Sequence, residues 1–226
     1  MLGRYYILWG FDVKTGLLAS LAAATLIIAT PAFAQVTTTF ADGVGGVQAG
    51  ETLFASFDGG MNGGVVCAGC VIQTGGNGLG ANPAVGDQLD NYLSVLGGGS
   101  ATFTFAGGLS RLGLDFGSAD TYNTFTLALL GGGSQIFTGQ QLIDSGIANG
   151  NQSSSVTNGR LTFLANAGTT ISGLRITSSQ NSAEVDNFGT VGAVPEPGTW
   201  AMMLLGFGAI GASMRRRRHA GIPSIV

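Results

Sequence analysis

Between Gln35 and Ala193 the chain alternates polar and apolar residues in short runs, and glycine interrupts each run before a helical period can build. In Ser100–Ala106, Ala101, Phe103 and Phe105 fall on one side and Thr102 and Thr104 on the other. Leu112, Leu114 and Phe116 alternate with Gly113 and Asp115, and Phe125, Leu127 and Leu129 with Thr124, Thr126 and Ala128. Leu161 and Phe163 repeat the pattern, and Ile171–Thr177 and Ala183–Thr190 read as two more strands. Side chains along a strand point to opposite faces in turn, so each run predicts a strand with one buried face. The 40 glycines fit the tight turns between such strands, because glycine takes positive φ without steric cost. Many short strands at close spacing predict an all-β, antiparallel fold. The expected architecture is a jelly-roll-like β-sandwich over residues 35–193, with the apolar faces of two sheets sharing one core.

The two ends differ from this body. Lys14 precedes the apolar run Gly16–Ala29, which is followed by Pro31-Ala32-Phe33-Ala34. A basic flank, an apolar core and an Ala-x-Ala site describe a secretory signal peptide over 1–34, cut between Ala34 and Gln35. That leader implies the Sec translocon and signal peptidase as partners. At the other end, Pro195-Glu196-Pro197 precedes Trp200, an uncharged run to Met214, and the cluster Arg215, Arg216, Arg217, Arg218. The prolines bar a helix from running through them from the body. The apolar run with arginines behind it predicts a single C-terminal transmembrane helix serving as a transient anchor. Its arginines face the cytoplasm, with residues 219–226 as a short cytoplasmic extension. From Thr199 to Met214 the run is 16 residues, shorter than the ~20 of a comfortable span.

The string Pro-Glu-Pro-x-x-Trp-Ala-Met-Met, with Gly206-Phe207-Gly208 and the arginine cluster behind it, resembles the PEP-CTERM sorting signal over 194–218. The resemblance implies recognition and cleavage by an exosortase, a membrane-embedded enzyme of Gram-negative, exopolysaccharide-producing bacteria. It also implies an exported protein at the cell surface or in the extracellular matrix, associated with biofilm. A weaker likeness to a group of exosortase-dependent surface proteins rests on Gly117–Thr124, a Gly-Ser-x-Asp-x-Tyr-Asn-Thr turn, and on Asp186-Asn187-Phe188. It brings no chemistry with it.

Chemistry in the body is constrained by what it lacks. The one histidine, His219, follows the arginines, so no Ser-His-Asp or Cys-His arrangement can form in the exported part. Three arginines against eleven acids between Gln35 and Gly198 leave a net charge of −8, which argues against nucleic acid as a partner. Acids are numerous enough to pair by chance, but none stands in a glycosidase-like motif, and the body is expected not to be an enzyme. Gly75–Gly80 lacks the flanking strand and helix of a nucleotide site and reads as a loop. Cys67 and Cys70 are flanked by strand-like residues. A local disulfide pinning a turn is the leading reading, beside a redox pair or free thiols.

No cofactor is required, although calcium has candidate ligands. Asp186 and Asn187 could meet Asp58 or Asp42 if the terminal strands pair, against the plainer reading of solvated turn carboxylates. The main expectation is a non-enzymatic, exported surface protein associated with exopolysaccharide. The alternative is a lectin-like carbohydrate-binding module, for which Tyr92 and Tyr122 are the candidate stacking residues.

Overall fold

The computed structural model of the chain describes residues 35–61, 64–83, 89–144, 146–193 and 197–219. The expected leader with Ala34, the motif residues Pro195 and Glu196, and the extension after His219 lie outside these residues. So do the side chains of Pro197, Trp200 and Arg216–Arg218.

The body is antiparallel β throughout its ladders. Its strands are β1 (Val36–Asp42), β2 (Thr52–Ala55), β3 (Val65–Thr74), β4 (Asn91–Gly117), β5 (Asn123–Leu129), β6 (Ser134–Thr138), β7 (Gly159–Ala165), β8 (Ile171–Ser178) and β9 (Ala183–Gly192). A four-residue helix, α1 (Gly139–Leu142), follows β6. The all-β, antiparallel expectation holds. The finer expectation does not: instead of two separate sheets in jelly-roll order, all nine strands join one hydrogen-bonded sheet.

One sheet can enclose a core here because β4 is 27 residues long and turns corners without leaving the ladder. Its first stretch pairs with β3 and β9, as in Leu93↔Val185. The middle stretch pairs with β3 and β8, as in Phe103↔Leu174, and the last lies between β7 and β9, as in Phe116↔Val185. The register breaks between these stretches fall at the glycines Gly97–Gly99 and Gly107–Gly108. Gly98, Gly107 and Gly108 have φ of +78°, +82° and +73°, a region closed to most side chains. The sheet therefore curls, and β5, β6 and β8 come to face β1, β7 and β9.

Aromatic rings fill the enclosed space. Phe103 stacks on Phe188 at 4.4 Å between centroids, and Phe116 meets Phe125 edge-on at 4.8 Å. Phe125 also approaches Phe163 at 6.3 Å. The inward residues of β4, β5, β7, β8 and β9 that alternation had marked are almost all fully buried. A fully buried Leu or Phe contributes roughly 1.5–3 kcal/mol, so these rings and the aliphatic side chains packed with them are the main source of stability.

Cys67 and Cys70 form a disulfide across a bulge in β3, with their Cα atoms 6.0 Å apart. Gly69 sits inside the bulge at φ +67°.

The tail forms one helix, α2 (Pro197–His219), with Pro197 at its first position, where a missing amide costs nothing. This corrects the expectation of a transmembrane helix: no helix among the described residues is long and apolar enough to cross a membrane. The helix has the length, but its apolar part stops at Met214 and is diluted by Gly206, Gly208, Gly211 and Ser213. Sixteen residues cover roughly 24 Å, short of a hydrocarbon core of about 30 Å. Met202, Leu204, Leu205, Phe207, Ile210 and Met214 are all exposed on it.

Candidate functional site

Three polar constellations stand out against this core. The first is a buried ion network on the face of β4, β7 and β9 away from the aromatic core. Direct cross-strand partners share a face. Asp186, Asp115 and Arg160 are such partners in succession, through Asp115↔Asp186 and Asp115↔Arg160. Arg160 Nη1 donates to Asp115 Oδ1 at 3.0 Å and to the Asn187 carbonyl at 2.6 Å. Arg160 Nη2 donates to Glu51 Oε2 at 2.6 Å, and Arg111 Nε lies 3.8 Å from Glu51 Oε1. The amide of Gly46 and the side chain of Asn187 both donate to Asp115 Oδ2. Thus Glu51 and Asp115 draw the 43–51 loop down onto the sheet. Space for the Arg160–Glu51 pair exists only because Gly113 and Gly189, themselves cross-strand partners, carry no side chain. A Cβ on Gly113 would lie 2.5 Å from Glu51 Oε1, and one on Gly189 2.2 Å from Glu51 Oε2. Gly113→Ala is expected to destabilise the protein by about 1–3 kcal/mol, read from urea unfolding. An unchanged midpoint would mean that the loop moves freely.

The second constellation is acidic and nearly without counter-charge. Glu184 is buried, accepts from the hydroxyls of Ser182 and Ser118, and has its pKa pushed up to about 7 by burial. Asp186 is pushed up to about 8, first by burial and then, against the lowering effect of the Asn187 amide, by Asp90, Asp115 and Asp58. Its Oδ1 is buried without a hydrogen-bond partner. The fold thus brings the proposed calcium residues Asp186 and Asp58 within electrostatic reach. It also spends the Asn187 side-chain Nδ2 on Asp115. Among the described residues no three His, Cys, Asp or Glu side chains are gathered so as to hold a metal ion. Asp42, at the end of β1, pairs with Gly159 of β7, in a separate ladder from Asp186.

The third constellation is on the outside of β4, β8 and β5. Two cross-strand rows run over it, Ser100–Thr177–Thr124 and Thr102–Arg175–Thr126. Opposite faces of the same strands carry Ala101, Phe103, Leu174, Ile176, Phe125 and Leu127 into the core, so these hydroxyls and the guanidinium point outward. At one end the face deepens into a groove of about 400 Å³ lined by Gly98, Gly99, Tyr122, Thr124, Arg175 and Thr177, among others. The Tyr122 hydroxyl donates to the Asn181 carbonyl at 2.8 Å, which holds the ring at the groove. Tyr92, the other aromatic candidate for sugar stacking, is fully buried; its hydroxyl donates to the Gly75 carbonyl, and burial pushes its pKa up to about 12. A buried ring cannot stack on a ligand, so Tyr92 leaves the candidate set. Alternation in the sequence put Thr102 and Thr104 on one side of their strand and Thr124 and Thr126 on one side of theirs, but nothing in it joined the two or placed Arg175 among them.

The curled β body is thus followed by a single helix, α2, whose last turn carries the arginine cluster. Residues 193–218 match the family model of the PEP-CTERM protein-sorting motif. The match covers the tail alone and implies exosortase-dependent processing, export and sorting at the membrane. A comparison with curated proteins finds no match to the chain. Of the motif residues, Arg215 is exposed on α2.

Proposed function

We propose that this chain is a non-enzymatic exported protein, trimmed at its PEP-CTERM tail, whose β body acts at the cell surface or in the extracellular matrix alongside exopolysaccharide. The observation that carries this reading is the sorting motif at 193–218, which begins where the last strand ends at Gly192. The body has no histidine, and Glu51, Asp115, Glu184 and Asp186 are drawn into ion pairs, serine hydrogen bonds and an acidic cluster, an arrangement that suits a display domain better than a catalyst. Sec translocon, signal peptidase and exosortase are its partners during export; nucleic acid is not among them.

Replacing Pro195, Glu196 and Pro197 together by alanine in an exosortase-bearing Gram-negative host tests the route. The expected result is an uncut form that keeps its tail, while the wild-type protein is recovered with its tail removed, as read by intact mass. Equal processing of the two would sink the reading.

A second reading, a lectin-like module, is favoured by the hydroxyl-lined outer face around Arg175. Calcium enters it only through Asp186 and Asp58. An unfolding midpoint that is the same in calcium and in chelator removes calcium from it.

A further inference from the structure

The body is acidic, and two of its three arginines are committed to Glu51. Arg175 is different. It is exposed in the middle of the β8 outer face, between Thr102 and Thr126, and no ion pair to it forms among the described residues. Around it the adjacent row supplies Ser100, Thr177 and Thr124. Tyr122 closes one end of the groove with its hydroxyl already engaged. Neighbouring strands lie roughly 4.8 Å apart, so the rows present hydroxyls at a regular spacing along the face. A guanidinium offers a planar fork that binds a carboxylate through two parallel hydrogen bonds. Threonine and serine hydroxyls both donate and accept, as sugar hydroxyls do. A tyrosine ring supplies the apolar edge or face that sugar C–H groups pack against.

We infer that the outer face of β4, β8 and β5 binds an acidic, uronate-bearing polysaccharide chain, with Arg175 as the anchor for a sugar carboxylate. This rests on the reading of the body as exopolysaccharide-associated, and it names the ligand class. The net charge of −8 over Gln35–Gly198 repels a polyanion at long range. Binding therefore depends on the local fork and hydroxyls rather than on bulk attraction, and should be sensitive to one residue.

The test is calorimetric titration of the full chain with polygalacturonate, neutral dextran and dextran sulfate. Polygalacturonate is expected to bind saturably, and Arg175→Ala to weaken it at least about tenfold, as loss of a charge-assisted bidentate contact does. Arg175→Lys should recover part of the loss, because it restores the charge without the fork. Thr124→Val with Thr177→Val should weaken binding as well, which checks the face independently of the arginine. Polygalacturonate binding no better than dextran, or unaffected by Arg175→Ala, overturns the proposal. Equal binding of dextran sulfate overturns the carboxylate assignment. Failure here is separable from failure of the parent reading. If the exported protein still fractionates with the cell's own exopolysaccharide while the groove variants change nothing, only the groove is lost.

Discussion

Replacing Arg160 by alanine is expected to remove about 3–5 kcal/mol of unfolding free energy, a large fraction of the roughly 5–15 kcal/mol that holds a typical domain folded. The reason is less the loss of attraction than what remains. Arg160 is 2% exposed, and its two ion-pair partners, Glu51 and Asp115, have side chains 1% and 0% exposed. Without the guanidinium, Asp115 stays buried with only amide donors, from Gly46 and Asn187, and Glu51 keeps the Gln48 amide and the more distant Arg111. The Asn187 carbonyl also loses its donor. Asn187 stands at φ +47°, a conformation that asparagine tolerates better than most residues, and that carbonyl contact is part of what holds it there. Urea unfolding followed by fluorescence measures the effect. The double variant Arg160→Ala/Glu51→Ala should cost less than the two single losses summed, because removing Glu51 also removes an orphaned charge. A loss below about 1 kcal/mol for Arg160→Ala would show that the network is wet and contributes little.

Lowering the pH from 8 towards 5 is expected to make the body more stable, the reverse of most acid-sensitive proteins. Glu184 and Asp186 have folded pKa values of about 7 and about 8, raised above the ordinary 4.5 and 3.8, with burial the first cause in each. A carboxyl with a raised folded pKa prefers to be protonated in the native state. The stability it contributes is full below its unfolded pKa and is lost as pH climbs through its folded value. Within that window each group changes stability by about 1.4 kcal/mol per pH unit. Asp58, held low first by its hydrogen bond with Asp90, acts in the opposite sense and only at more acid pH. Thermal unfolding at pH 5, 6, 7 and 8 should show the midpoint falling with pH, and Asp186→Asn should flatten the upper part of the curve. A midpoint that rises between pH 5 and 8 would contradict both assignments.

The strands were legible because their signal is local. Phe103 and Phe105, Leu112 and Leu114, and Phe125 and Leu127 are separated by one residue each, and a period of two allows only one kind of burial. The sorting tail was legible for a similar reason, since it is read as a linear string by another protein. Its helix was legible too, but its inability to span a membrane turned on length and glycine dilution between Thr199 and Met214.

The candidate site was only partly visible. Tyr122 and the threonines were marked as polar or aromatic surface, but Tyr92 read equally well until the sheet closed over it. Asp58 and Asp186 are 128 positions apart and could be connected only as a conditional pairing of terminal strands.

By itself, the amino-acid order determined which residues face inward on each strand, where the chain turns, and how it is addressed, because each is a matter of neighbours along the backbone. Tertiary structure alone decided that β4 would bend twice and keep the strands in one sheet, since that depends on which distant strand pairs with each stretch of it. It also decided the fates of the three body arginines. Arg111 and Arg160 were drawn to Glu51 by loop packing, and Arg175 was left on an open face, because whether a charge is paired or free is settled across strands and not along one.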